Sequence, residues 1–127
     1  MRVLVVDDAA FMRMALKNII EKSGHEVVGE ANNGEKAVEL CKTLTLEGKK
    51  PGLVTMDITM PEVDGLEGLV RIKELDESIN IIMITAMGQE FMVREALAKG
   101  ALDFIVKPFK EDRIKAALTK MGSMLKN

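Results

Sequence analysis

The chain has no tryptophan and no tyrosine, a single cysteine, a single histidine and three prolines among its 127 residues. Each shortage closes off a class of function. Without Trp or Tyr, stacking of bases on an aromatic platform is not expected, so single-stranded nucleic acid is a poor candidate ligand. One cysteine, Cys41, allows no disulfide framework and points to a reducing, cytoplasmic setting. One Cys and one His cannot build a zinc site from those residue types. That histidine, His25, precedes the second apolar run and reads as a surface or helix-end residue, not as a phosphodonor or metal ligand. Charge of one sign is missing too: 18 basic against 20 acidic residues leave a net −2, without the basic excess of a direct nucleic-acid binder. No apolar run approaches the roughly 20 residues of a membrane span. The opening Met1 to Val6 is too short for a signal peptide and reads as a strand.

At 127 residues the expectation is one domain, 1–127, with no length for an appended DNA-binding module. A hydrophobic fraction of 47% is enough for a core of that size without disulfide or metal staples.

Five short apolar runs recur at intervals of about 25 residues: Val3 to Val6, Val27 to Val28, Leu53 to Met56, Ile81 to Ile84 and Phe104 to Val106. They are continuous, not alternating, as in strands covered on both faces of a parallel sheet. Helical spacing fills the gaps. The first helix, Phe11 to Lys22, is expected to bury Phe11, Ala15, Leu16, Ile19 and Ile20. The last places Ile114, Ala117, Leu118, Met121 and Leu125 on one face. Ser23-Gly24 closes the first helix, Asn32-Asn33-Gly34 opens the second, and Gly100 caps the fourth. Strand followed by helix, five times, predicts a doubly wound α/β fold with strand order 2-1-3-4-5 and five helices. The polar stretch Glu47 to Gly52 is read as a solvated loop with no assigned role.

The strand ends carry the chemistry: Asp7-Asp8 on the first, Asp57 on the third, Thr85 on the fourth, Lys107-Pro108 on the fifth. Open parallel sheets bind ligands at the carboxyl ends of their strands, next to the switch in strand order. With strands 1 and 3 adjacent, Asp7, Asp8 and Asp57 converge. Three clustered carboxylates repel and call for a cation, and hard oxygen ligands with room for water favour Mg²⁺. A lysine across the pocket suits a phosphoryl group, and a threonine hydroxyl suits one of its oxygens. The pocket is suited to phosphoryl transfer onto a carboxylate, with Asp57 the candidate nucleophile. Taken singly these residues are bland: a lone strand-end Asp usually caps a turn or helix, and a lone Lys is usually solvated. Capping explains neither the doubled aspartate nor Lys107.

Val5-Val6-Asp7-Asp8, Met56-Asp57-Ile58-Thr59-Met60-Pro61, Asp64-Gly65, Thr85-Ala86 and Lys107-Pro108-Phe109 together resemble the response-regulator receiver domain, over the whole chain. The segments Asp8 to Arg13 and Ala86 to Gln89 look most like the stand-alone chemotaxis regulators of that family. The resemblance implies a phosphoryl group accepted by Asp57 from a histidine kinase. It implies Mg²⁺ held directly by Asp8, Asp57 and the Thr59 carbonyl, and through water by Asp7. Lys107 would contact the phosphoryl group across a cis Lys107–Pro108 bond, and Thr85 would hydrogen-bond to it. Thr85 would then move and Phe104 turn inward, altering a partner surface that includes Val93, Leu97, Lys99, Phe104 and Lys120. The implied partner is a flagellar or archaellar motor switch or adaptor protein, bound by a cytoplasmic monomer that neither binds nucleic acid nor enters the membrane. Thr59 and Met87 stand where the family tunes phosphoryl loss, and neither is acidic or an amide.

Three other readings stand beside this one. A phosphorelay intermediate differs only in its partner. A Mg²⁺-dependent phosphatase with an Asp nucleophile, of the haloacid dehalogenase type, needs a second Asp two residues on, where this chain has Thr59. A dinucleotide binder needs a G-x-G-x-x-G turn after the first strand, where this chain has two aspartates.

Overall fold

Strand and helix alternate along the chain: β1 (Arg2–Val6), α1 (Ala10–Lys22), β2 (Glu26–Ala31), α2 (Gly34–Leu46), β3 (Leu53–Asp57), α3 (Gly65–Leu75), β4 (Asn80–Ala86), α4 (Glu90–Ala98), β5 (Asp103–Lys107) and α5 (Glu111–Leu125). The structure is a computed structural model. It describes residues 1–58, 60, 64–86 and 89–125, the side chains of 90, 124 and 125 excepted. Thr59, Met87 and the Leu125 side chain therefore lie outside the described residues. All four strand pairings are parallel, in the expected order β2-β1-β3-β4-β5.

Strand alternation divides the core in two. Leu4, Val6, Val54, Met56, Ile81 and Met83 face α2, α3 and α4. Val3, Val5, Leu53, Ile82, Ile84 and Ile105 face α1 and α5. The central strands β1, β3 and β4 are buried almost throughout, which is why their sequences run unbroken in apolar residues. β2 is longer than Val27 to Val28. It is an edge strand, mostly half-buried, so Gly29 and Glu30 can stand within it. Among the described residues no helix is long and apolar enough to cross a membrane.

Two expected core positions are corrected. Phe11 is 73% exposed and Ala15 is exposed. The phase of α1 is set by Met12, Leu16, Ile19 and Ile20, which pack on the sheet. Phe11 and Ala15 each precede a member of that stripe by one residue, about 100° around the helix.

Helix ends follow the sequence signals. Asn33 Oδ1 accepts from Lys36 N at 2.8 Å and starts α2; Asp64 Oδ1 accepts from Glu67 N at 2.9 Å and starts α3. Gly24 and Gly100 take positive φ (88° and 108°) after α1 and α4, where a Cβ would be strained. The 47–52 loop is not simply solvated. Lys50 Nζ reaches Asp76 Oδ2 at 3.1 Å and Ser78 Oγ at 2.9 Å, tying the loop to the turn after α3. Asp76 also accepts from the Ser78 hydroxyl (2.6 Å) and backbone N–H (2.9 Å). Those two bonds, followed by Lys50, pull its carboxyl down to about 2. The ionised form is the bonded one, so this stabilisation is present above the unfolded value of about 4. It is lost as pH falls through about 2. A carboxyl-carbon NMR titration should place the Asp76 midpoint near 2, and Ser78→Ala should move it upward. A wild-type midpoint in the ordinary carboxylate range would contradict the bonding described.

Candidate functional site

The register explains the convergence at the carboxyl edge of the sheet. Val6 pairs with Met56, so Asp7 and Asp57 leave neighbouring strands at the same level. By alternation Asp7, Asp57 and Lys107 continue the rows of Val5, Thr55 and Ile105, on the face covered by α1 and α5. Asp7 is 0% and Asp57 6% exposed, whereas Asp8, one residue beyond, is exposed to solvent. Carboxylate oxygens of Asp7, Asp8 and Asp57 lie within 4.8 Å of one another. The sequence-predicted acidic cluster is thus assembled as expected.

Lys107 Nζ lies 2.9 Å from Asp7 Oδ2 and 3.6 Å from Asp57 Oδ1. The shorter contact goes to the more deeply buried carboxylate, where an unpaired charge would be most costly. The Lys107–Pro108 peptide is cis. Asp7 Oδ1 accepts the Ala9 N–H at 2.9 Å, so both carboxylate oxygens of Asp7 already have protein donors. Three hard oxygen donors, one of them open to water, suit Mg²⁺, which keeps several waters.

Thr85 belongs to the opposite row of β4, with Ile81 and Met83. It is fully buried, and its Oγ1 donates to the Ala86 carbonyl at 3.3 Å. Phe104 pairs with Met83 and packs against the same cluster, half-buried. Thr85 and Phe104 therefore share one side of adjacent strands. The Phe104 carbonyl accepts from Arg113 Nη2 at 2.8 Å, joining β5 to the first turn of α5.

The expected partner surface is only partly a surface. Leu97 is 43% exposed, and Lys99 and Lys120 are exposed. Val93 is 6% exposed and belongs to the core. On α4 the inward stripe is Met92, Val93 and Ala96, and Phe91, at 75% exposed, stands outside it. His25 lies at the far end of β1, its Nδ1 2.9 Å from the Met1 amino nitrogen. Burial, followed by the amine's charge, lowers its pKa. Cys41 is buried on the inner face of α2, and that burial pushes its thiol up to about 12.

Two residues escaped the sequence reading. Gly65 opens α3 directly against the Asp57 carbonyl, and its N–H donates to Ile58 O at 2.8 Å. Arg13 Nη1 donates to the Asp7 backbone carbonyl at 2.7 Å, and its Nε to Glu30 Oε1 at 3.2 Å. The tight Asp64-Gly65 pair hints at the first. The second joins residues 17 apart, which only the β1–β2 register brings together.

The family model "Response regulator receiver domain" matches residues 3–119. The chain is 56% identical over 121 residues to "Chemotaxis protein CheY" of Thermotoga maritima, covering 95% of this chain and 97% of that one. It is also 56% identical over 119 residues to the Bacillus subtilis protein of the same name, covering 94% and 95%. Among solved structures, the crystal structure of the CheX–CheY–BeF₃–Mg²⁺ complex from Borrelia burgdorferi superposes with a TM-score of 0.83 at 36% identity, covering 99% of this chain and 89% of that one.

Proposed function

The chain belongs to the response regulator receiver domain family and is CheY-like over nearly its whole length, and from that premise we propose that Asp57 accepts a phosphoryl group from a histidine kinase to switch binding of a motility-motor protein. The observation that carries this reading is the buried Asp57 carboxylate, clustered with Asp7 and Asp8 and 3.6 Å from Lys107. An Asp57 oxygen attacks phosphorus in line, the new O–P bond forming as the donor's P–N bond breaks and the kinase histidine leaves. Lys107 offsets charge on the transferred group. It lies within reach of both Asp7 and Asp57, so it can turn from one carboxylate toward the new phosphoryl oxygens. Bound at Asp8, Asp57 and the Thr59 carbonyl, Mg²⁺ would supply the remaining neutralisation.

The output follows from Thr85. A phosphoryl oxygen on Asp57 offers its hydroxyl a charged acceptor in place of the Ala86 carbonyl. Only a contact that differs between the two states can shift their balance. Movement of Thr85 frees space on the side it shares with Phe104, and Phe104 turns inward. The face so altered presents Phe104, Leu97, Lys99 and Lys120 to a flagellar or archaellar switch or adaptor protein. The protein works as a cytoplasmic monomer, as one domain over 1–127.

With acetyl phosphate and Mg²⁺, intact mass spectrometry should count about one phosphoryl group per chain, the stoichiometry of a single acceptor carboxylate. Sustained turnover of an unrelated phosphomonoester would replace the switch with the phosphatase reading. Beryllofluoride should strengthen capture of the motor component. Equal capture with and without it would remove the switch.

A further inference from the structure

Asp7 has a partner for every polar atom. Its N–H donates to Ala31 O at 3.1 Å, and Oδ1 and Oδ2 accept from Ala9 N and Lys107 Nζ, each at 2.9 Å. The shortest of its bonds is that from Arg13 Nη1 to its carbonyl, 2.7 Å. That carbonyl belongs to the planar peptide linking Asp7 to Asp8. Fixing its direction fixes the plane from which Asp8 leaves the strand, and so where the Asp8 carboxylate stands relative to Asp57. Arg13 is itself held at both ends. Its backbone N–H donates to Ala9 O at 3.1 Å in the first turn of α1, and its Nε is 3.2 Å from Glu30 at the end of β2. Glu30 adjoins Ala31, whose carbonyl receives the Asp7 N–H. The result is a closed circuit through β1, α1 and β2 around one peptide. Arg13 is mostly buried, its side chain 20% exposed, so the geometry is not that of a freely moving surface arginine.

We infer that Arg13, braced by Glu30, is a positioning residue that sets the divalent-cation affinity of the acidic pocket by orienting the Asp7–Asp8 peptide. This rests on the phosphoacceptor reading above. Charge alone gives the opposite sign: a cationic guanidinium beside the pocket repels Mg²⁺, so its removal would tighten binding. Orientation and charge are therefore separable. Lysine keeps the charge but loses the planar fork that spans two acceptors.

The test is a Mg²⁺ titration of the ¹⁵N-labelled chain by amide chemical shift, which reads only folded protein and needs no phosphoryl transfer. Wild type, Arg13→Lys, Arg13→Met and Glu30→Gln are compared. Loss of an outer partner of a metal ligand costs about 10–100-fold in affinity. Acting through a backbone carbonyl, Arg13→Lys and Arg13→Met should each weaken Mg²⁺ about 3–10-fold, and Glu30→Gln about 2-fold. The Asp8 amide of cation-free Arg13→Lys should also shift. Wild-type affinity in Arg13→Lys, or tighter binding in Arg13→Met, overturns the proposal. An unchanged Glu30→Gln overturns the brace. If Arg13→Met does not fold, the two conservative variants still decide. Wild type that binds no Mg²⁺ overturns this inference together with the phosphoacceptor reading; wild type that binds, with unchanged variants, overturns this inference alone.

Discussion

Asp57→Asn will take up no phosphoryl group from acetyl phosphate, and without Mg²⁺ it will melt at a higher temperature than the wild type. The first result follows from losing the anionic nucleophile. The second follows from counting charges. Asp57 has an oxygen within 4.8 Å of those of both Asp7 and Asp8, and Lys107 lies 3.6 Å away. At an effective dielectric of about 20, each like-charge contact at that separation costs about 3.5 kcal/mol, while the lysine contributes about 4.6 kcal/mol of attraction. Among these charges the two repulsions outweigh the Lys107 attraction. Asp8 is exposed, and solvent screening discounts its share. A net stabilisation of about 1 kcal/mol remains, which raises Tm by roughly 3–5 °C for a chain of this size. Saturating Mg²⁺ should reverse the order, because it binds the folded wild type more tightly than the variant. Calorimetric scans in chelator and in excess Mg²⁺ check both halves. A variant that melts below the wild type in chelator would mean that Lys107, not repulsion, dominates at Asp57.

The parts of this site that could be read from sequence are those where burial leaves a plain signature. Strands covered on both faces must be apolar throughout, so β1, β3 and β4 stand out and their ends can be located. A reactive side chain at the end of such a run stands at the carboxyl end of the sheet, which places Asp7 and Asp57, and Lys107 stands likewise at the end of the shorter apolar run of edge strand β5. β2 is half-buried at the edge and leaves only a two-residue trace. Helix faces were harder for another reason. Periodicity finds a stripe but not its phase against the sheet, so it points Phe11 inward, and the family resemblance puts Val93 on the partner surface; packing requires the reverse of both. Contacts between distant segments were out of reach. The Arg13–Glu30 clamp needs the β1–β2 register, and the Lys50–Asp76 tether needs α3 to end beside a loop 26 residues earlier.

Gly65→Ala will destabilise the domain by about 3 kcal/mol and impair phosphoryl uptake, while Gly122→Ala, the same chemical change, will stabilise it. At Gly65 an added Cβ would overlap the Asp57 carbonyl oxygen and crowd Ile58 Cα and Asp57 C. All three are backbone atoms at the end of a central strand, so none can swing aside as a side-chain tip could. α3 must then lift from β3, breaking the Gly65 N–H bond to Ile58 O, and the peptide that carries Asp57 moves with it. Overpacking a site that cannot relax costs about 1–3 kcal/mol, and the lost buried hydrogen bond adds about 1. Gly122 lies within α5 with nothing inside 4 Å of its would-be Cβ. There alanine only removes unfolded-state freedom, for a gain of about 0.5–1 kcal/mol. Denaturant melts of the two variants should therefore move in opposite directions. Only Gly65→Ala should also slow acetyl phosphate uptake, measured on the folded fraction. A Gly65→Ala protein with wild-type stability and uptake would show that α3 does not bear on the Asp57 carbonyl, and the rigid seat of the phosphoacceptor would have to be sought elsewhere.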